Sequence, residues 1–126
     1  MKKFVLALAL ATALAAFVPA ASAGDDNRVE RRGSCSGATD WKLKAKPDDG
    51  GLEVEFEVDQ NVNGDTWRVT LKRNGNRFFR GRRTTHGPSG SFEVERQTGN
   101  APGEDRINAR ARNLSTDELC RGHLTI

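Results

Sequence analysis

From Leu52 to Val58 the chain reads Leu-Glu-Val-Glu-Phe-Glu-Val. Successive side chains of a strand point to opposite faces, so this segment has one apolar face and one carboxylate face. A half-buried strand satisfies both. The same period recurs in Trp41–Lys46, where three lysines alternate with Trp41, Leu43 and Ala45, and in 67–73, where Trp67, Val69 and Leu71 share one side. Further strands are expected at 77–84, 91–96, 106–112 and 120–126. Turn formers separate them: Asp49-Gly50-Gly51, Asn63-Gly64, Asn74-Gly75, Gly87-Pro88-Ser89-Gly90, Asn100-Ala101-Pro102-Gly103 and Ser115-Thr116-Asp117. After residue 23 no segment sustains a helical period. About seven short strands with turns every eight to twelve residues predict an all-β antiparallel sandwich.

The organisation around that domain is brief. Residues 1–23 have the pattern of a secretory signal peptide, with Lys2 and Lys3, an apolar run from Phe4 to Val18, and Ala21-Ser22-Ala23 as the cleavage site. Cleavage after Ala23 would release a secreted chain with no membrane anchor. Residues 24–34 are polar and read as a flexible lead-in to a domain over 35–126. Cys35 and Cys120 are the two cysteines of the chain. In an exported protein such a pair forms one disulfide, and the chain has no further thiol for a cysteine-based metal site.

Two motifs carry a resemblance. Trp67-x-Val69-x-Leu71-x-x-Asn74-Gly75 resembles strand C of an immunoglobulin-like domain entering its C–C′ turn. Asp105-x-Ile107-x-Ala109-x-Ala111-x-Asn113 is similar to the strand F pattern of that family. Ile107 replaces the family's corner tyrosine, and Ala109 replaces the cysteine that bridges the sheets. The bridge here would instead tie the N-terminal segment to the last strand. The whole chain resembles the small exported immunoglobulin-like proteins of high-GC, actinobacterial-type bacteria, a group without an assigned activity. The resemblance therefore implies the sandwich, with strand F beside strand C and strand G beside F, and no particular chemistry.

Charge is distributed unevenly. Residues 24–65 hold six Lys/Arg against eleven Asp/Glu, and residues 66–126 hold twelve against six. Residues 73–83, Arg-Asn-Gly-Asn-Arg-Phe-Phe-Arg-Gly-Arg-Arg, contain five of those arginines beside two adjacent phenylalanines. A two-residue turn at Asn74-Gly75 would pair Leu71 with Phe78 and Thr70 with Phe79. Phe78 would then face the core, leaving Phe79 outside with Arg68, Lys72, Arg77 and Arg83. Strand F adds Arg106, Arg110 and Arg112 to that side, and strand G adds Arg121 and His123. The candidate polyanion-binding set is thus Arg68, Lys72, Arg77, Phe79, Arg106, Arg110, Arg112 and Arg121. A charged row also solvates an edge and discourages aggregation, but that role does not require the signs to be segregated.

Other chemistry has less support. His86 and His123 are the histidines, and neither lies in a nucleophile motif, so no catalytic residue and no cofactor are expected. The segment Asp59–Asp65 matches the opening of a calcium loop, with Asp59, Asn61, Asn63 and Asp65 as ligands. However, Thr70 holds the twelfth position, where a bidentate carboxylate belongs, so calcium is the weaker reading beside a polar loop turned by Asn63-Gly64. Asn113-Leu114-Ser115 is formally a glycosylation sequon. Nucleic acid is disfavoured as a partner, because the chain has no tyrosine and few exposed rings for base stacking. The expected partner is an anionic cell-surface polymer or an acidic protein. The other reading is a secreted accessory protein or enzyme inhibitor without a polyanion site.

Overall fold

The computed structural model describes residues 27–126; the expected signal peptide over residues 1–23 lies outside them. These residues form β1 (Val29–Ser34), β2 (Asp40–Asp48), β3 (Gly51–Asp59), β4 (Thr66–Arg73), β5 (Asn76–Thr84), β6 (Ser91–Thr98), β7 (Arg106–Asn113) and β8 (Leu119–Thr125). Two four-stranded antiparallel sheets result, in the orders β1-β2-β3-β6 and β5-β4-β7-β8. The β2–β3 and β4–β5 hairpins turn at Asp49-Gly50 and Asn74-Gly75, whose four residues all have positive φ. Two-residue turns of that kind match the twist of the flanking strands. The two segments resembling strands C and F are neighbours, β4 and β7, with β8 beside β7.

Between the sheets lies the core, which contains Leu43, Phe56, Trp67, Val69, Leu71 and Ile107, all with no exposed surface. The alternation is literal: from Leu52 to Val58 every second residue is buried. The two long sides of the sandwich are closed differently. On the β1/β8 side, Cys35 and Cys120 form a disulfide across 85 residues of sequence. Trp41 fills the space beside it. A Cβ at Gly33 would stand 2.7 Å from the Trp41 ring and one at Gly122 2.8 Å, so glycine at both positions lets β1 and β8 close on the indole. On the β5/β6 side the cover is a single aromatic ring: Phe79 lies between the guanidinium groups of Arg83 and Arg96, at 5.1 and 4.6 Å.

Two sequence expectations change here. Residues 29–34 are a paired edge strand, not a flexible lead-in, with Val29 to Ser34 opposite Ala45 to Asp40. Only Val29 among them is a strongly apolar residue, so pairing with β2 rather than a buried face holds this strand. The second change is in β5. Leu71 pairs with Phe79, not Phe78, and the register shifts between Leu71 and Lys72. Phe78 is the extra residue of a β-bulge. Both phenylalanines consequently pack against the core, which strict alternation forbids.

An ion pair with a buried carboxylate ties the turn end of β4 to the start of β7. Asp105 has no exposed surface and accepts hydrogen bonds from Arg73 (2.7 Å), Asn74 (2.9 Å) and the Ala101 N–H (3.1 Å). Burial pushes its pKa up, but the Arg73 guanidinium and the amide donors outweigh burial and hold the carboxyl below its ordinary range. At the opposite end, Asp65 accepts from Gln60 (2.6 Å) and Asn113 (2.9 Å), and Gln60 accepts from the Trp67 indole N–H (3.1 Å). The hydrogen bonds from Asn113 and Gln60 hold the Asp65 carboxyl below its ordinary range.

Candidate functional site

The bulge decides which arginines of β5 face solvent. A regular register would place Phe79, Gly81 and Arg83 outside. In the structure those three face inward, opposite Leu71, Val69 and Trp67, and Arg80 and Arg82 take the outer positions, opposite Thr70 and Arg68. Phe79 therefore leaves the candidate set, and Arg80 and Arg82 enter it. Nothing in the residue pattern of 77–83 marks where the extra residue sits. The other seven candidates, Arg68, Lys72, Arg77, Arg106, Arg110, Arg112 and Arg121, are outward on one sheet, as expected.

Their register makes rows across the four strands. Arg82, Arg68 and Arg112 align in one, and Arg80, Thr70, Arg110 and Arg121 in the next. The third holds Arg77, Lys72, Asn108 and His123, and Arg106 lies beyond it opposite Thr125. Cations thus stand directly opposite cations in Arg68–Arg82, Arg68–Arg112, Lys72–Arg77 and Arg110–Arg121. Like charges in register cost stability. Among the described residues, the acidic partner on this face is Asp117, 3.5 Å from Arg112 and largely exposed.

The face is not flat. Thr70 is the small residue at its centre, between Arg80 and Arg110. A hollow of about 600 Å³ forms over it, walled by Arg68, Lys72, Arg77, Arg80 and Arg112. A second hollow of about 410 Å³ continues toward β8, between Asn108, Arg121 and His123 and over the backbone of Ala109 and Gly122. The two share Thr70, Lys72 and Arg110, so together they make one groove crossing all four strands.

The outer face of the other sheet is organised oppositely. Lys42, Lys44 and Lys46 reach Glu57, Glu55 and Glu53 at 3.5, 3.3 and 3.4 Å, so the two alternating rows form a cross-strand ladder. Beyond it, β6 places Glu95 opposite Glu55 and Glu93 opposite Glu57. The Glu53–Glu95 hydrogen bond lowers the Glu53 pKa and raises that of Glu95, while burial and then Glu55 raise that of Glu93. A carboxyl whose folded pKa is raised favours folding at low pH, and that advantage is lost as pH rises from its unfolded value through the folded one. Glu95→Gln is therefore expected to raise the melting temperature at pH 7 and to change it little near pH 4. Thermal melts across that range check this, and an unchanged or lower melting temperature at pH 7 would contradict it.

The remaining sequence candidates are distributed as follows. Asp59 ends β3 and Asp65 precedes β4, where Gln60 and Asn113 already occupy one of its carboxylate oxygens. Asn61 has φ 61° and Gly64 φ 97°, the geometry of a turning loop. Among the described residues the acidic cluster close enough to share an ion is Glu53, Glu55 and Glu95, outside that loop. His86 is exposed with Nδ1 3.1 Å from the Gly87 carbonyl oxygen, and His123 ends the third row of the cationic face. Asn113 of the sequon is wholly buried, donating to Asp65 and accepting from the Ser115 and Thr116 N–H groups. Comparison with protein-family models, curated proteins and solved structures finds no match to the chain.

Proposed function

We propose that this chain is an exported, non-catalytic binding module that holds a polyanion on the outer face of the β5-β4-β7-β8 sheet. The observation that carries the reading is the contrast between two faces of one small domain. One neutralises its lysines with glutamates on the neighbouring strand and keeps a surplus of glutamate, with Glu93 and Glu95 opposite Glu57 and Glu55. The other sets arginine against arginine with Asp117 alone as counter-charge among the described residues. Positions that sacrifice stability in this way are where a binding site is expected. Guanidinium groups two residues apart on a strand stand about 7 Å apart, so one extended polyanion engages several, each with a planar fork suited to oxyanions.

The disulfide fits an oxidising compartment. Removal of residues 1–23 and release from the cell belong to the proposal, as does membership of the immunoglobulin-like class, which the adjacency of β4, β7 and β8 supports.

Retention on a heparin-type or phosphorylated resin tests the reading. The native chain should bind at low salt and elute with a steep salt dependence, the exponent growing by about 0.7 for each phosphate neutralised if the polymer behaves as a single strand. Replacing Arg106, Arg110 and Arg112 by glutamine should weaken retention with folding intact, since all three side chains are exposed. Replacing Lys42, Lys44 and Lys46 removes equal charge from the opposite sheet and should matter less. Absence of retention for the native chain, or equal losses from the two triple variants, would refute the site.

A further inference from the structure

The groove over Thr70 has a direction, a length and a charge density, and these narrow the class of polymer. The two hollows join through Thr70, Lys72 and Arg110, so the path runs across the strands, from Arg77 and Arg80 on β5 to Arg121 and His123 on β8. Three interstrand spacings make that path about 14 Å long. Seven arginines and lysines line it. A nucleic-acid strand with one phosphate per about 3.4 Å would bring roughly four negative charges to that length. The groove thus offers more positive charge than one nucleic-acid strand laid along it neutralises.

Its lining also lacks what bases need. His123, at one end, is the single ring among the lining residues, and Phe79, an expected stacking surface, is turned into the sandwich. Without a platform of rings, base stacking contributes little. At the centre of the floor lies the Thr70 side chain, whose hydroxyl can donate to an oxyanion between Arg80 and Arg110.

Resting on the polyanion reading above, we propose that the groove takes a thin, base-free, densely charged chain of phosphates lying across the four strands. Arginine forks grip the outer oxygens from both walls, Lys72 supplies a point charge, and Thr70 leaves the room in which the chain sits. Charge alone does not define such a site; the hollow does. Thr70→Phe keeps every charge and fills the hollow, and phenylalanine is well tolerated on a strand.

The test is binding of inorganic polyphosphate by calorimetry at fixed salt, with triphosphate and longer chains compared. Affinity should climb with chain length until the polymer spans β5 to β8, and then change only in proportion to the number of sites offered. Thr70→Phe and the double variant Arg80→Gln/Arg121→Gln, at the two ends of the groove, should each lose tenfold or more. Lys42→Gln/Lys46→Gln removes the same charge from the opposite sheet and should lose no more than threefold. Full affinity in Thr70→Phe would overturn the groove while leaving a polyanion-binding face in place, and equal losses from the two double variants would refute a site on this sheet. Tighter binding of a sulfated oligosaccharide or an oligothymidylate of equal charge would overturn the phosphate chain as ligand. Failure of the native chain to bind any of these polymers would sink the polyanion reading itself.

Discussion

Replacing Cys35 and Cys120 together, by serine and alanine, is expected to cost about 4–5 kcal/mol, the loop-closure entropy of a bridge over 85 residues. For a domain of roughly 100 residues that corresponds to a fall in melting temperature of about 20 °C or more. The size of the effect follows from topology. The bond joins the loop after β1 to β8, so nearly every paired strand lies inside the loop it closes. The thin apolar content of a small domain leaves little reserve against such a loss. Urea unfolding of the oxidised and cysteine-free chains checks the prediction, and a difference below about 1 kcal/mol would show that the bridge is incidental to stability.

The second large effect is expected at Asp105. Its carboxylate is completely buried and receives donors from Arg73, Asn74 and Ala101, so Asp105→Ala leaves the half-buried Arg73 guanidinium and two amide donors without their acceptor. The expected cost is about 2–4 kcal/mol, set by the unpaired groups that remain. The sign of its pH dependence follows from the direction of its pKa. The folded value lies below the unfolded one, so the contribution is complete at neutral pH and is lost as pH falls through the unfolded value toward the folded one. The gap between native and Asp105→Ala stabilities should therefore narrow below about pH 4. A gap that stays constant or widens in acid would contradict the charge-based account. Asn74→Ala, which removes one donor and keeps the ion pair, should cost less than Asp105→Ala.

How far the sequence anticipates this molecule depends on whether a residue's environment is set by its own strand or by a neighbour. Leu52–Val58 and Trp41–Lys46 reveal their buried and charged faces directly, because each is governed by its own alternation. Their pairing into a Lys–Glu ladder also follows, since the β2–β3 turn at Asp49-Gly50 fixes the register. β1 escapes notice because Val29–Ser34 carries almost no apolar signal and exists through backbone pairing with β2. The bulge at Phe78 escapes for a different reason. Two adjacent phenylalanines fit either phase of alternation, and only packing against the core decides that both turn inward. That choice replaces Phe79, Gly81 and Arg83 on the cationic face with Arg80 and Arg82. The groove is the least legible feature, because a hollow at Thr70 exists only when Arg80 and Arg110 are aligned on either side of it.

The unequal closure of the two long sides has a mechanical consequence. The sandwich is bound like a book, with a covalent spine at Cys35–Cys120, where Trp41 is wedged between Gly33 and Gly122, and a fore-edge held by Phe79 between two arginines. Opening that stops short of unfolding is expected to start at the less constrained margin, with β5 parting from β6 before β1 parts from β8. Strands β5 and β8 also bound the cationic groove. Its β8 wall therefore lies on the margin closed by the disulfide, and its β5 wall, bearing Arg77 and Arg80, on the margin closed by side-chain packing.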